Sequence, residues 1–278
     1  MSEAAPQLAP QPVRVVLHCS YDGSGFHGFA TQRGQRTVQG ALEAALEQIT
    51  GAAAETGCAG RTDTGVHAVA QVVHADVDPA YLERLGLAAE PFAEVVPLSR
   101  SLSKILAPDV VTRRAFVAPE GFDARRSATA RRYRYVIDCG DRRDPLYRAA
   151  SWHLPGELDL AAMRVAADAL CGEHDFSAFC RQPKGREPGP LRRRVIGTRF
   201  TRDDALVCFE IEANAFCHQM VRSIVGMLVA VGRGRRTAAE VAARLRAPDR
   251  GGLPSPAPAI GLCLIAVEYP EHLGGAVR

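Results

Sequence analysis

The chain has 278 residues, 47% of them hydrophobic and 23% charged, with a formal net charge of +3. That is the composition of a globular protein that buries about 75% of its unfolded surface and needs no staple, which excludes a disulfide-dependent mini-protein and a collagen-like rod. Its longest apolar run, Ile224 to Val231, has eight residues against the ~18 of a membrane span. The first twelve residues lack the basic start and apolar stretch of a signal peptide, so a soluble cytoplasmic protein is expected.

Residues 13–20, VRVVLHCS, are β-branched and closed by the turn run Tyr21-Asp22-Gly23-Ser24-Gly25, which predicts a strand. Thr37 is placed to cap a helix carrying Leu42, Ala45, Leu46 and Ile49, closed by Gly51. After a turn at Ala59-Gly60, Val66 to Val77 reads as a strand. Pro79 to Pro97 reads as a helix and connector, Leu98 to Leu106 as a helix, and Val110 to Val117 as a further strand. Near Ala130 a second half begins. RRYRYVID predicts a strand with Tyr133 and Tyr135 on one face, and Asp159 caps a helix through Leu170. Pro183, Pro188 and Pro190 mark an arginine-rich loop, and Val195–Phe200 with Ala205–Ala213 fit a hairpin. A helix is expected from Phe216 to Val231, a short one after the capping box of Thr237 and Glu240, and a last strand over Leu262 to Val267. Strand–helix–strand thus recurs, predicting an α+β fold of two related halves that share one mainly antiparallel sheet. The expected divisions are a disordered extension at 1–12, an N-terminal half at 13–122 and a C-terminal half at 123–278.

Charge is more telling in its distribution than in its sum. The only lysines are Lys104 and Lys184, and the arginines cluster. Eight lie between Arg125 and Arg148, against Asp138, Asp141 and Asp144; seven lie between Arg181 and Arg202, against Glu187 alone. Arginine suits phosphate forks and base stacking, so a nucleic-acid backbone is the expected partner, with an ordinary solvated face as the alternative. The eight cysteines are nowhere closer than nine residues. Without a C-x-x-C pair they are expected to be reduced core thiols, and no metal is expected.

Gly60 to Ala68 reads GRTDTGVHA. Its glycines punctuate a loop with Asp63 at the centre. If the loop is extended, Arg61 and Asp63 point to one side, and a guanidinium that close keeps a carboxylate ionised. Such a carboxylate is suited to nucleophilic or electrostatic work rather than to general acid catalysis. Thr-Asp-Thr-Gly is also common turn chemistry, and the residues alone favour that simpler account.

The same segment resembles the catalytic loop of the TruA family of tRNA pseudouridine synthases, usually GRTDAGVHA, with Thr64 the one departure. Tyr21 to Phe29 (YDGSGFHGF), Phe122 to Ile137 (FDARRSATARRYRYVI), Gly172 to Phe179 (GEHDFSAF), Asn214 to Gly226 (NAFCHQMVRSIVG) and Gly261 to Pro270 (GLCLIAVEYP) are similar to further blocks of that family, in the same order. Phe29-Ala30-Thr31-Gln32 stands where the family often has Trp-Gln-Arg-Gln, and the Arg181–Pro190 loop matches poorly.

The resemblance implies an enzyme that isomerises uridine to pseudouridine at positions 38, 39 and 40 of the tRNA anticodon arm, as a cytoplasmic homodimer, without cofactor or metal. It implies Asp63 as the nucleophile, with Arg61 entering the RNA helix beside the displaced base and pairing with Asp63. Tyr133 would stack on uracil, its hydroxyl aiding removal of the C5 proton. Arg222 would orient Asp63, and Leu262 would line the substrate site. Arg125, Arg126, Arg131, Arg132 and Arg134 would bind phosphates. His67 and His218 are read as structural. Two other classes stay open: a non-catalytic RNA-binding protein, against which the intact Asp63, Arg61 and Tyr133 argue, and a glycosidase, which needs a second acid about 5–10 Å from Asp63.

Overall fold

The computed structural model describes residues 11–182, 185 and 189–277; most of the 1–12 extension and part of the Arg181–Pro190 loop lie outside the described residues. Ten strands form one sheet. They are β1 (Val13–Tyr21), β2 (Glu55–Cys58), β3 (His67–Val77), β4 (Val110–Val117), β5 (Ala130–Asp138), β6 (Trp152–His153), β7 (Gly172–Asp175), β8 (Arg192–Asp203), β9 (Leu206–Ala213) and β10 (Leu262–Glu268). The order is β4-β1-β3-β10-β5-β9-β8-β7, with β2 on β3 and β6 on β5. Only β10–β3 and β5–β6 are parallel, so the expectation of a mainly antiparallel sheet running through both halves is met. The late strand β10 sits between β3 and β5. It runs parallel to β3 through Cys263↔His67 and Leu264↔Ala68, and antiparallel to β5 through Leu262↔Tyr135. Backbone hydrogen bonds thus run unbroken across the joint between the halves.

The helices are α1 (Val38–Thr50), α2 (Pro79–Arg84), α3 (Val96–Leu106), α4 (Leu160–Asp168), α5 (Met220–Gly232) and α6 (Ala238–Arg246). Their ends follow sequence chemistry. Thr37 accepts from the Gly40 amide, Asp159 from that of Ala162, and Thr237 with Glu240 forms the full capping box. Gly51 ends α1 at φ 84°, left-handed backbone that glycine enters without strain. Val15, Leu17, Leu42, Leu46, Leu98 and Leu102 are fully buried in the first half, and α5 is buried along nearly its whole length in the second.

Four expectations need correction. The helix expected from Phe216 begins at Met220, because Gln219 adopts a left-handed φ of 64°. The segment 214–219 is therefore loop. Strands β2 (ETGC) and β7 (GEHD) went unforeseen; each is a four-residue, largely polar run that pairs because a longer neighbour presents an edge. Strand β8 starts at Arg192 rather than Val195, which moves three arginines from loop to sheet. Finally, Cys180 and Cys217 are joined as a disulfide, their Cα atoms 5.8 Å apart; a separation of 37 residues carries no pairing signal in the sequence. The other six cysteines are free.

His18 lies on β1 opposite Arg114, its ring edge-on to Phe116 at 5.3 Å. Burial, and then the Arg114 charge, lower its pKa from 6.5 to about 4. Because the folded value lies below the unfolded one, the protein holds its full stability from this group above pH ~6.5 and loses it as pH falls towards ~4. The denaturant midpoint of the wild type is expected to drop across that window. A His18→Gln variant is expected to show a flatter profile there, read by urea titration at stepped pH.

Candidate active site

The loop Gly60–Val66 enters β3 at the joint with β10 and β5, and it is held from behind by the turn that follows β1. The Phe29 amide donates to the Thr62 carbonyl at 3.0 Å. The Tyr21 hydroxyl meets Thr62 Oγ1 at 2.8 Å, and buried Gln71 donates through Nε2 to Tyr21 Oη at 3.2 Å and to the Gly60 carbonyl at 2.8 Å. Gly23 approaches so closely that a Cβ there would lie 2.0 Å from the Val66 carbonyl oxygen. The block YDGSGFHGF thus acts as a buttress for the aspartate loop. His67 bonds with both ring nitrogens to backbone, accepting from the Gly23 amide at 3.1 Å and facing the Ile260 carbonyl at 3.1 Å. It is structural, as expected.

Asp63 faces a cleft of about 950 Å³ walled by both halves of the chain. Its Oδ2 is 3.3 Å from Arg222 Nη1 and its Oδ1 is 3.5 Å from His218 Nε2. Arg222 is itself aimed: its Nε donates to the Ala257 carbonyl at 2.8 Å, and the Ala257 amide returns a bond to the Arg222 carbonyl at 2.9 Å. Helix α5 can approach that segment because Gly226 has no side chain; a Cβ there would sit 2.4 Å from the Ser255 carbonyl oxygen. The expected partner of Asp63, Arg61, makes no ion pair among the described residues. It stands exposed on the cleft wall, and the guanidinium beside Asp63 is that of Arg222. His218, read from sequence as structural, is instead half-exposed in the cleft beside the carboxylate. The left-handed Gln219 ends the loop before α5 starts and leaves His218 in that loop, outside the helix.

Tyr133 and Leu262 both line the cleft. The Tyr133 ring meets Phe216 edge-on at 5.1 Å, and its hydroxyl lies close to Gly60. Burial pushes that hydroxyl's pKa up, with smaller contributions from Cys58 and Asp63, so it stays protonated in the neutral range and is fitted to relay a proton rather than to rest as a base.

Of the five candidate phosphate-binding arginines, the three on β5 separate by its period of two. Arg131 shares the face of Tyr133, where it is buried and saturated. Its guanidinium donates to the carbonyls of Ala59, Ala128, Asn214 and Arg125 at 2.5–3.1 Å. It is a strut joining the aspartate loop to both halves, with no donor left for a phosphate. Arg132 and Arg134 point to the opposite face, in cross-strand ion pairs with Glu212 and Glu210. Arg125 lines the cleft; Arg126 is exposed outside it. Two arginines that were not singled out, Arg181 and Arg193, also line it. An Arg131→Ala change is expected to destabilise the fold by about 3 kcal/mol, because it strands buried carbonyls. The salt dependence of RNA binding should stay unchanged; both are read from thermal melts and binding isotherms.

Among the described residues, Asp63 is the sole carboxylate lining the cleft. The paired acids of a glycosidase are therefore not assembled here. One carboxylate in a cleft rich in guanidinium groups, with a buried aromatic wall, is an arrangement suited to a flat base carried by a polyanion. A family model described as tRNA pseudouridine synthase matches residues 18–88 and 166–270, and the chain belongs to that family of isomerases. Its relatives place it with the A-type enzymes. The tRNA pseudouridine synthase A of Vibrio cholerae (strain O395) is 40% identical over 262 residues, covering 94% of each chain. That of Frankia casuarinae is 44% identical over 268 residues, covering 96% of this chain and 93% of its own. That of Roseiflexus sp. RS-1 is 40% identical over 266 residues, covering 94% and 93%.

Proposed function

We propose that this chain converts uridine to pseudouridine at positions 38, 39 and 40 of the tRNA anticodon stem-loop, with Asp63 as nucleophile, acting as a cytoplasmic homodimer without metal or cofactor. The observation that carries the reading is Asp63 itself: a lone cleft carboxylate gripped by Arg222, on a loop braced by two separate parts of the chain. No helix of the described residues is long and apolar enough to cross a membrane.

The reaction breaks the N1–C1′ glycosidic bond, turns the uracil, and forms a C5–C1′ bond. The C5 proton leaves and N1 gains one, so no electrons are exchanged and no redox partner is needed. The reacting atoms are sheathed by stacking in a helix, so the nucleotide must be flipped out at a cost of a few kcal/mol. Arg61, exposed and without an ion pair among the described residues, is the side chain placed to fill the vacated space. Tyr133 receives the base, a stacking contact of ~1–3 kcal/mol, with Leu262 on the same wall. Arg222 orients the carboxylate, and His218 flanks its other oxygen. Recognition of three neighbouring positions suits readout by shape and phosphate rather than by base edges.

The test is tritium release from tRNA labelled at uridine C5, followed by mapping of the product positions. Release confined to the anticodon arm is expected. Tight binding of unmodified tRNAs with no release from any of them would leave an RNA-binding protein instead.

A further inference from the structure

One wall of the cleft carries positive charge that nothing described in the chain neutralises. Arg193 projects from β8, where it lies opposite His174 of β7. Among the described residues its buried Nε has no hydrogen-bond partner, and Nη1 reaches only the neighbouring Arg192 carbonyl at 2.6 Å. Arg125 and Arg181 line the same cleft, and no ion pair to any of the three occurs among the described residues. Burial, and then the charge of Arg125, push the Arg193 guanidinium down from its ordinary value, a sign that these two charges lie within reach of each other.

A buried N–H without an acceptor is unfavourable, and so are like charges held together. The scaffold nevertheless fixes the backbone at both arginines. The Arg125 carbonyl is tied to Arg131, and the Arg125 amide to the carboxylate of Asp123. The backbone beside Arg193 is pinned by the Arg194 amide to Asn214 Oδ1 at 3.0 Å. Guanidinium groups anchored at their backbones, with N–H donors unmet among the described residues, are complementary to a phosphodiester, which offers several acceptor oxygens at once.

We propose that Arg193, with Arg125 and Arg181, forms a receptor for a backbone phosphodiester flanking the flipped uridine, and so fixes the nucleoside against Asp63. This rests on the reading of the cleft as a uridine site. It makes Arg193 a positioning residue whose work is done through the RNA backbone.

The test combines protein and RNA changes in tritium-release kinetics. The wild type is given tRNAs carrying a single methylphosphonate on the 5′ or the 3′ side of the target uridine. At one of these positions kcat/KM is expected to fall about ten- to a hundredfold. Arg193→Gln is expected to lose a similar factor on unmodified tRNA and little more on the methylphosphonate tRNA. Arg125→Gln, at an exposed side chain that folding does not depend on, is expected to show the same non-additivity. In direct binding the log–log salt slope should decrease by roughly 0.7–0.9 in the Arg193 variant. Wild-type indifference to both modified positions, losses that multiply, or an unchanged salt slope would each overturn the receptor. A wild type that releases no tritium from unmodified tRNA would overturn the uridine reading instead, and the salt slope would still judge the phosphate contact on its own.

Discussion

Asp63→Asn is expected to lower tritium release from C5-labelled tRNA by at least ~10³-fold, the scale of loss when a covalent nucleophile is removed. Asparagine keeps the shape and can still accept from Arg222, so the loop geometry should survive and tRNA affinity should change little. The comparison separates chemistry from folding. The Tyr21–Thr62 and Gln71–Gly60 contacts hold the loop without any help from the carboxylate, so thermal stability should stay near that of the wild type. Residual release within tenfold of wild type would remove Asp63 from the bond-making step.

Arg222→Lys is expected to cost about 10²–10³ in kcat, the loss usual when one preorganised donor to a developing charge is removed, with little change in KM. Lysine keeps the positive charge but not the fork. Arg222 uses Nε for the Ala257 carbonyl and Nη1 for Asp63 at the same time. An ammonium on a flexible stem cannot reproduce that fixed pair of directions. If charge alone mattered, lysine would restore most of the activity that Arg222→Ala removes. A failure to rescue, measured in single-turnover kinetics, would show that direction is what the helix supplies.

Much of the fold is readable in the sequence wherever the determinants are local. Thr37, Asp159 and the Thr237–Glu240 box start helices where their chemistry says they should, and the alternation of β5 places Tyr133 and Tyr135 together in the interior. The same alternation also sorts the arginines of β5, sending Arg132 and Arg134 away from the cleft, although an account based on clustering alone counts them as phosphate ligands. What could not be read is long-range. Asp63 and Arg222 are 159 positions apart, and only the insertion of β10 brings their segments together; the resemblance supplied that pairing, and the residues by themselves did not. His218 was misplaced because one left-handed residue, Gln219, shifts the start of a helix by four positions. Arg193 gave no signal beyond membership of an arginine-rich run, since its distinguishing feature is an unmet hydrogen bond in the folded state.

The position of β10 has a consequence for how the protein is made. The strand that ties β3 to β5 is translated some two hundred residues after the aspartate loop. Until residues 262–268 are available, the first half has an open edge at β3 and the second an open edge at β5. Asp63 is then without the wall that carries His218 and Arg222. A chain not yet translated through β10 therefore has no assembled site with which to engage the tRNAs that crowd the translating ribosome.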